Sequence, residues 1–242
     1  MALPVLPLVL GTAAAGLAAV FGYRYLQSGG DVPEFLPFGD PLSTFAKAEG
    51  IDPRLLASVI QVESAGVPLI QGRPVIRVEV HRLERTAAKL GKSAELARVF
   101  SRSSAPGQPW TGHQFEGEPL HQRAGEGMAS AQRREYRALQ AAADILGDEA
   151  YESASYGLGQ IMGSNYALAG EPSAKAMLES AKKGKNAQIR HMLTFIKNDK
   201  NGRTLGALQA ANVPLFVQYY NGAKVGTDKN KRYTRKIFEG MQ

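Results

Sequence analysis

The chain opens on an uncharged apolar stretch and then turns to segments of helical period, broken by one short run of strand-like alternation. From Ala2 to Tyr23 no side chain carries a charge. Roughly 20 apolar residues cross a bilayer core as a helix, so residues 1–26 are predicted to form one N-terminal transmembrane helix. Nothing basic precedes it, unlike a cleaved export signal. Its second half is rich in Gly and Ala, which bury little surface per residue and make the anchor a weak one. Arg24, just past the span, argues for a C-terminal side that is cytoplasmic or inside a particle. Gly29, Gly30, Pro33, Pro37 and Gly39 mark residues 27–40 as a linker. Residues 41–242 are left as one domain.

Within that domain the period is mainly 3.6. Asp40 or Ser43 can cap a short helix ending near Gly50. Asp52 followed by Pro53 is a helix start, and Leu55, Leu56, Val59 and Ile60 follow at helical spacing. Residues 74–81 (PVIRVEVH) alternate apolar and polar and predict a strand, with Glu79 and His81 on its polar face. Residues 101–127 are rich in Gly, Pro, Ser and His and hold the one Trp, Trp110; they read as a long surface loop. Further helices are predicted over about 130–145, with Tyr136, Leu139, Ala142 and Ala143 inward, and over about 173–181 and 186–198. A last helix stops at Asn221-Gly222. The fold class is therefore mainly α (α+β), a helical domain with a small β element.

Composition adds two constraints. There is no cysteine, which excludes disulfides and thiolate chemistry. The net charge is +7, and from Lys182 onward thirteen Lys or Arg face only Asp199, Asp228 and Glu239. Apolar residues are interleaved there, so the basic segment should be a folded face suited to an anionic partner. No nucleic-acid module is present, and nucleic acid is not an expected partner.

The candidate chemistry starts at Glu63. It lies three residues after Ile60 and seven after Leu56, on the same apolar stripe. Burial there favours the protonated carboxyl, the form that donates a proton to a leaving oxygen. The alternative is a structural ion pair with Arg77 or Arg82. Glu79 and His81 form either a metal pair or a hydrogen-bonded pair lining a cleft; two ligands without a third do not define a metal site. Residues 153–163 (SASYGLGQIMG) bring three glycines close together, as a bend that admits a ligand requires. Gln160 in that block offers both donor and acceptor.

Three pieces then stand in order: Glu63-Ser64, Tyr156-Gly157-Leu158-Gly159-Gln160-Ile161, and Tyr220-Asn221-Gly222. This order resembles the lysozyme-like superfamily that includes goose-type lysozymes and soluble lytic transglycosylases. It is most similar to the N-acetylmuramidase family of phage endolysins. That family has a Val-Glu-Ser segment, a strand with Glu and His (here Val78 to His81), and a block that reads Ser155 to Tyr166 in this chain. Tyr156 stands where the family usually has Trp, and Gly159 where a larger residue is usual. The resemblance implies a lysozyme-like domain that hydrolyses peptidoglycan without a cofactor. Glu63 would be the catalytic acid and Glu79, ahead of Glu152, the base. Ser64, Ser155, Tyr156, Gln160, Tyr220 and Asn221 would bind the glycan. A lytic transglycosylase, or an inactive wall-binding module, stays open as the alternative. The expected partners are peptidoglycan strands, a lipid membrane through the N-terminal helix, and other virion proteins. The expected location is anchored in a viral-particle or host inner membrane, for host lysis or for wall penetration.

Overall fold

A computed structural model describes residues 41–103 and 111–241. The expected transmembrane helix (1–26), the linker (27–40) and Trp110 lie outside the described residues. Among those described, no helix is long and apolar enough to cross a membrane.

Helix α1 (Pro41–Ala48) buries Leu42 and Ala46 against α2 (Pro53–Ser64). The predicted start of α2 holds: the Asp52 side chain accepts from Arg54 N, and Pro53 sits in the first turn. Leu55, Leu56, Val59 and Ile60 are fully buried, and the helix ends at Ala65 in the left-handed region. Strands β1 (Leu69–Ile70) and β2 (Arg73–Pro74) form a small hairpin.

The expected strand over 74–81 is shorter than its pattern suggests. Strand β3 covers only Ile76–Val78, and helix α3 (Val80–Leu90) begins at once. Glu79 is the residue before the helix, and its N–H bonds to Ser153 O. Glu79 and His81 therefore do not share a polar strand face; Glu79 is fully buried. Strand β7 (Ala154–Tyr156) pairs antiparallel with β3 and with β8 (Ile161–Met162), giving the order β3-β7-β8.

The free edge of β3 is satisfied by a helix. Helix α5 (Met128–Leu146) lays Gln132 and Glu135 along it. Gln132 Oε1 accepts from Ile76 N at 2.8 Å and its Nε2 donates to Ile76 O at 3.0 Å, while Glu135 Oε2 accepts from Val78 N at 2.8 Å. Two side chains thus stand in for a fourth strand and cover an edge that would otherwise invite pairing.

The expected long loop at 101–127 is partly ordered as sheet. After the short α4 (Ser93–Leu96), strands β4 (Phe100–Arg102), β5 (His113–Phe115) and β6 (Glu118–Pro119) form a meander, with Phe100 and Phe115 buried beneath it. Three-residue strands carry too short an alternation to be seen in sequence.

Helices α6 (Ala174–Ala181), α7 (Lys185–Asn198) and α9 (Val213–Asn221) follow the sequence expectation, while α8 (Arg203–Gln209), not foreseen, precedes α9 as a separate helix. Gly222, at φ 75°, closes α9 as Asn-Gly predicted. Beyond it, a helix not foreseen, α10 (Asp228–Glu239), packs on α9 and α2. It carries much of the basic C-terminal segment on its outer face and buries Tyr233 and Ile237.

Candidate active site

The Gly-rich block is a turn built to tight tolerance. Gly157 has φ 66°, and a Cβ there would stand 2.9 Å from Gln188 Oε1. Gln188, on α7, accepts from Leu158 N and donates to Pro68 O and Ala181 O, pinning the turn to the helical layer. Gly159 lies against Met192 and Tyr220, whose hydroxyl donates to Gly159 O at 2.7 Å; a Cβ would stand 2.9 Å from that hydroxyl. The glycine that departs from the family pattern thus makes room for Tyr220. A methyl on Gly163 would overlap the Tyr151 carbonyl. Gly163→Ala is therefore expected to cost about 3 kcal/mol, read as a lowered urea midpoint.

The turn, α7 and the end of α9 enclose a cleft of about 380 Å³. Its walls include His81, Ser155, Gln160, Phe195, Tyr220 and Asn221. Four of the residues expected to bind glycan thus meet here. Their jobs differ. Gln160 Oε1 accepts from the Ser155 hydroxyl, and its amide hydrogens go to Gly157 O and Val75 O, so both side chains mainly hold the turn. The Tyr220 ring stacks on Phe216 and meets Phe195 edge-on. Asn221 lines the cleft, and its Oδ1 is buried with no hydrogen-bond partner among the described residues.

Two expected glycan binders lie elsewhere. Alternation along β7 puts Tyr156 on the face opposite Ser155, where it is buried in the core with its hydroxyl on Tyr151 O. Ser64 is buried and returns its hydroxyl to Ile60 O, one turn back in α2. Glu152 is exposed and outside the cleft.

Glu63 is fully buried, and neither carboxyl oxygen has a partner among the described residues. The alternative ion pairs are not made: Arg77 bonds to Glu79 and Arg82 to Ser164. Burial pushes the Glu63 carboxyl up to about 8, against the opposing pull of the Lys229 ammonium. Burial, and after it the Glu63 charge, hold the Tyr220 hydroxyl well above its ordinary range, so the acid acts electrostatically on a ring of the cleft wall without lining the cleft itself. Because Lys229 is what restrains the shift, Lys229→Met should move the basic limb of the pH–rate profile upward; a downward move would contradict the assignment.

Beside His81 lies a second buried group of titratable side chains. Glu79 Oε1 accepts from Arg77 Nε at 2.9 Å. Its Oε2 stands 3.4 Å from His81 Nδ1 and 3.7 Å from His113 Nδ1, ion-pair distances without hydrogen-bond geometry. His113 Nδ1 meets His121 Nε2 at 2.9 Å, and His121 Nδ1 meets Glu135 Oε1 at 2.8 Å. Burial pushes Glu79 up, but Arg77, the nearby His81 and the charges of His121 and His113 outweigh it and hold the carboxyl at about 2. Burial drives Glu135 the other way, to about 8. Glu79, His81 and His113 place ligand atoms within 4.8 Å of one another, a spacing that can hold a cation. Arg77 already supplies the positive partner of Glu79, so charge balance there is met by the protein itself.

A larger cleft of about 590 Å³ opens elsewhere, lined by Arg73, Arg133, Arg137 and Lys182 among others. None of the residues expected to bind glycan lines it, so size does not locate the chemistry.

A carboxylic acid held protonated near an aromatic and amide-lined cleft is the equipment of a glycoside hydrolase. Comparison with known proteins gives the family. The N-acetylmuramidase family model matches residues 52–241, and the chain belongs to that family. Among solved structures it is similar to the Burkholderia AP3 phage endolysin, at 28% identity and a TM-score of 0.62, over 96% of this chain and 80% of that one. A comparison with curated proteins gives no match. The protein is thus an enzyme that degrades peptidoglycan.

Proposed function

We propose that the enzyme cleaves the glycosidic bond from N-acetylmuramic acid to N-acetylglucosamine, with Glu63 as general acid. The observation that carries this reading is the fully buried, unpartnered Glu63 carboxyl, whose charge acts on the cleft-lining Tyr220. Below pH 8 it keeps its proton until the bridging oxygen develops negative charge. The C1–O bond of the muramic residue then breaks, the proton passes to the departing oxygen, and positive charge grows on the sugar ring. Asn221 Oδ1 accepts an acetamido N–H, and the Tyr220 and Phe195 rings pack against sugar faces.

Borohydride reduction of a digest, followed by acid hydrolysis, tests the bond. Muramitol is expected. Glucosaminitol would sink the bond assignment, and anhydromuramic ends would make the enzyme a lytic transglycosylase.

We extend the proposal to the setting. The uncharged N-terminal stretch tethers the domain to a membrane of a virus particle or of its host, and the basic C-terminal helix holds it near anionic wall polymer. Recovery of the full chain in the soluble fraction of expressing cells would contradict the tether.

A further inference from the structure

Hydrolysis needs a group that takes a proton from the attacking water, and the cleft wall lacks a carboxylate. Among its described lining residues there is no Asp or Glu. The imidazole in that wall is His81, at the first turn of α3. Its Nδ1 lies 3.4 Å from Glu79 Oε2, an ion-pair distance without hydrogen-bond geometry. Glu79 is itself fixed by Arg77 and does not line the cleft, whereas His81 does.

We propose that His81 is the base that activates the hydrolytic water, and that Glu79, the carboxylate expected from sequence to be the base, is a positioning residue acting through it. The inference rests on the muramidase reading above. A proton on Nδ1 is favoured by the Glu79 carboxylate, which leaves Nε2 as the acceptor. As the glycosidic bond breaks, water oxygen bonds to C1 of the muramic residue and one water proton moves to Nε2. Glu63 has meanwhile given its proton to the departing oxygen. The step ends with Glu63 ionised, His81 as imidazolium beside the Glu79 carboxylate, and a free reducing end; solvent then returns the proton from His81 to Glu63. The logic is that of a base oriented by a buried acid, here serving water in place of a nucleophilic side chain.

An acid and a base acting from separate elements on one anomeric carbon produce inversion. The first test therefore needs no variant. Proton NMR of the products of the full chain on soluble glycan strands should show the α-anomer of the new muramic end before mutarotation. A β-anomer formed first would overturn the proposal. The second test compares His81→Gln and Glu79→Gln with the wild type, each verified as folded by circular dichroism. His81→Gln should lower kcat by about 100-fold or more with KM little changed, the usual scale of a lost general base. Glu79→Gln should lose less, and its products should keep the same anomer. A folded His81→Gln variant with near-wild-type kcat overturns the base while leaving the muramidase reading intact. Loss of reducing muramic ends altogether in the wild type would remove the reading beneath it. Chelation is the control: activity should survive EDTA, and a loss restored by zinc would replace the His81 base with a metal-bound water.

Discussion

At pH 7 the Glu63→Gln variant should unfold at a higher temperature than the wild type, by roughly 6–12 °C. The folded carboxyl titrates at about 8, against 4.5 for the free side chain. Between those values the unfolded chain releases a proton that the folded chain keeps, so stability falls as pH rises across the window. At about 1.4 kcal/mol per unit, the wild type loses about 3 kcal/mol between pH 4.5 and pH 7. Gln fills the same volume, needs no proton, and escapes the loss. Scanning fluorimetry at pH 4 and pH 7 checks this. The two proteins should nearly coincide at pH 4 and diverge at pH 7, whereas a gap independent of pH would mean that Glu63 is not buried as a neutral acid. An enzyme that keeps a costly acid where no partner relieves it trades stability for chemistry.

The second large effect is expected at Glu79→Ala, and it has the opposite sign. Removing one member of a buried ion pair leaves Arg77 uncompensated beside three histidines, a cost of about 3–5 kcal/mol. Glu79 is depressed to about 2 from 4.5. Its contribution is therefore present above pH 4.5 and is lost as pH falls through about 2. Urea melts should show the full deficit at pH 7 and a smaller one at pH 3. Adding Arg77→Ala should recover part of the loss, and strictly additive effects in that double-mutant cycle would show the pair to be uncoupled.

Much of this arrangement could be read from residue order. Glu63 was visible as a carboxylate on a stripe of Leu56, Val59 and Ile60, and it is buried among them. Asp52-Pro53 and Asn221-Gly222 marked helix ends because capping is local chemistry. What depended on distant partners was hidden. The pattern of 74–81 promised a strand to its last residue, but β3 stops after Val78, and Glu79 turns inward to Arg77. Alternation reports which side a residue faces, not where a strand yields to a helix.

The same limit explains the site residues that order did not reveal. His113 and His121 sit in a segment with no helical or strand period, and only the β4-β5-β6 meander brings them to Glu79 and Glu135. Lys229 belongs to a helix whose charged surface masked its amphipathic stripe. Gln132 and Glu135 do carry a signal in the sequence. Like Glu63, they are polar groups on an inward helical face, three residues apart and in line with Leu139 and Ala142. Gln160 shows the converse: the motif located it in the cleft, yet its amide is committed to the turn that the motif builds.

The most direct test of the account is the rate at which reducing ends are released from purified peptidoglycan by the full chain, wild type beside Glu63→Gln, at pH 6. A folded variant should be slower by about 1,000-fold, within the range of a lost general acid. A folded variant within ten-fold of the wild type would show that the buried Glu63 carboxyl does not protonate the leaving oxygen.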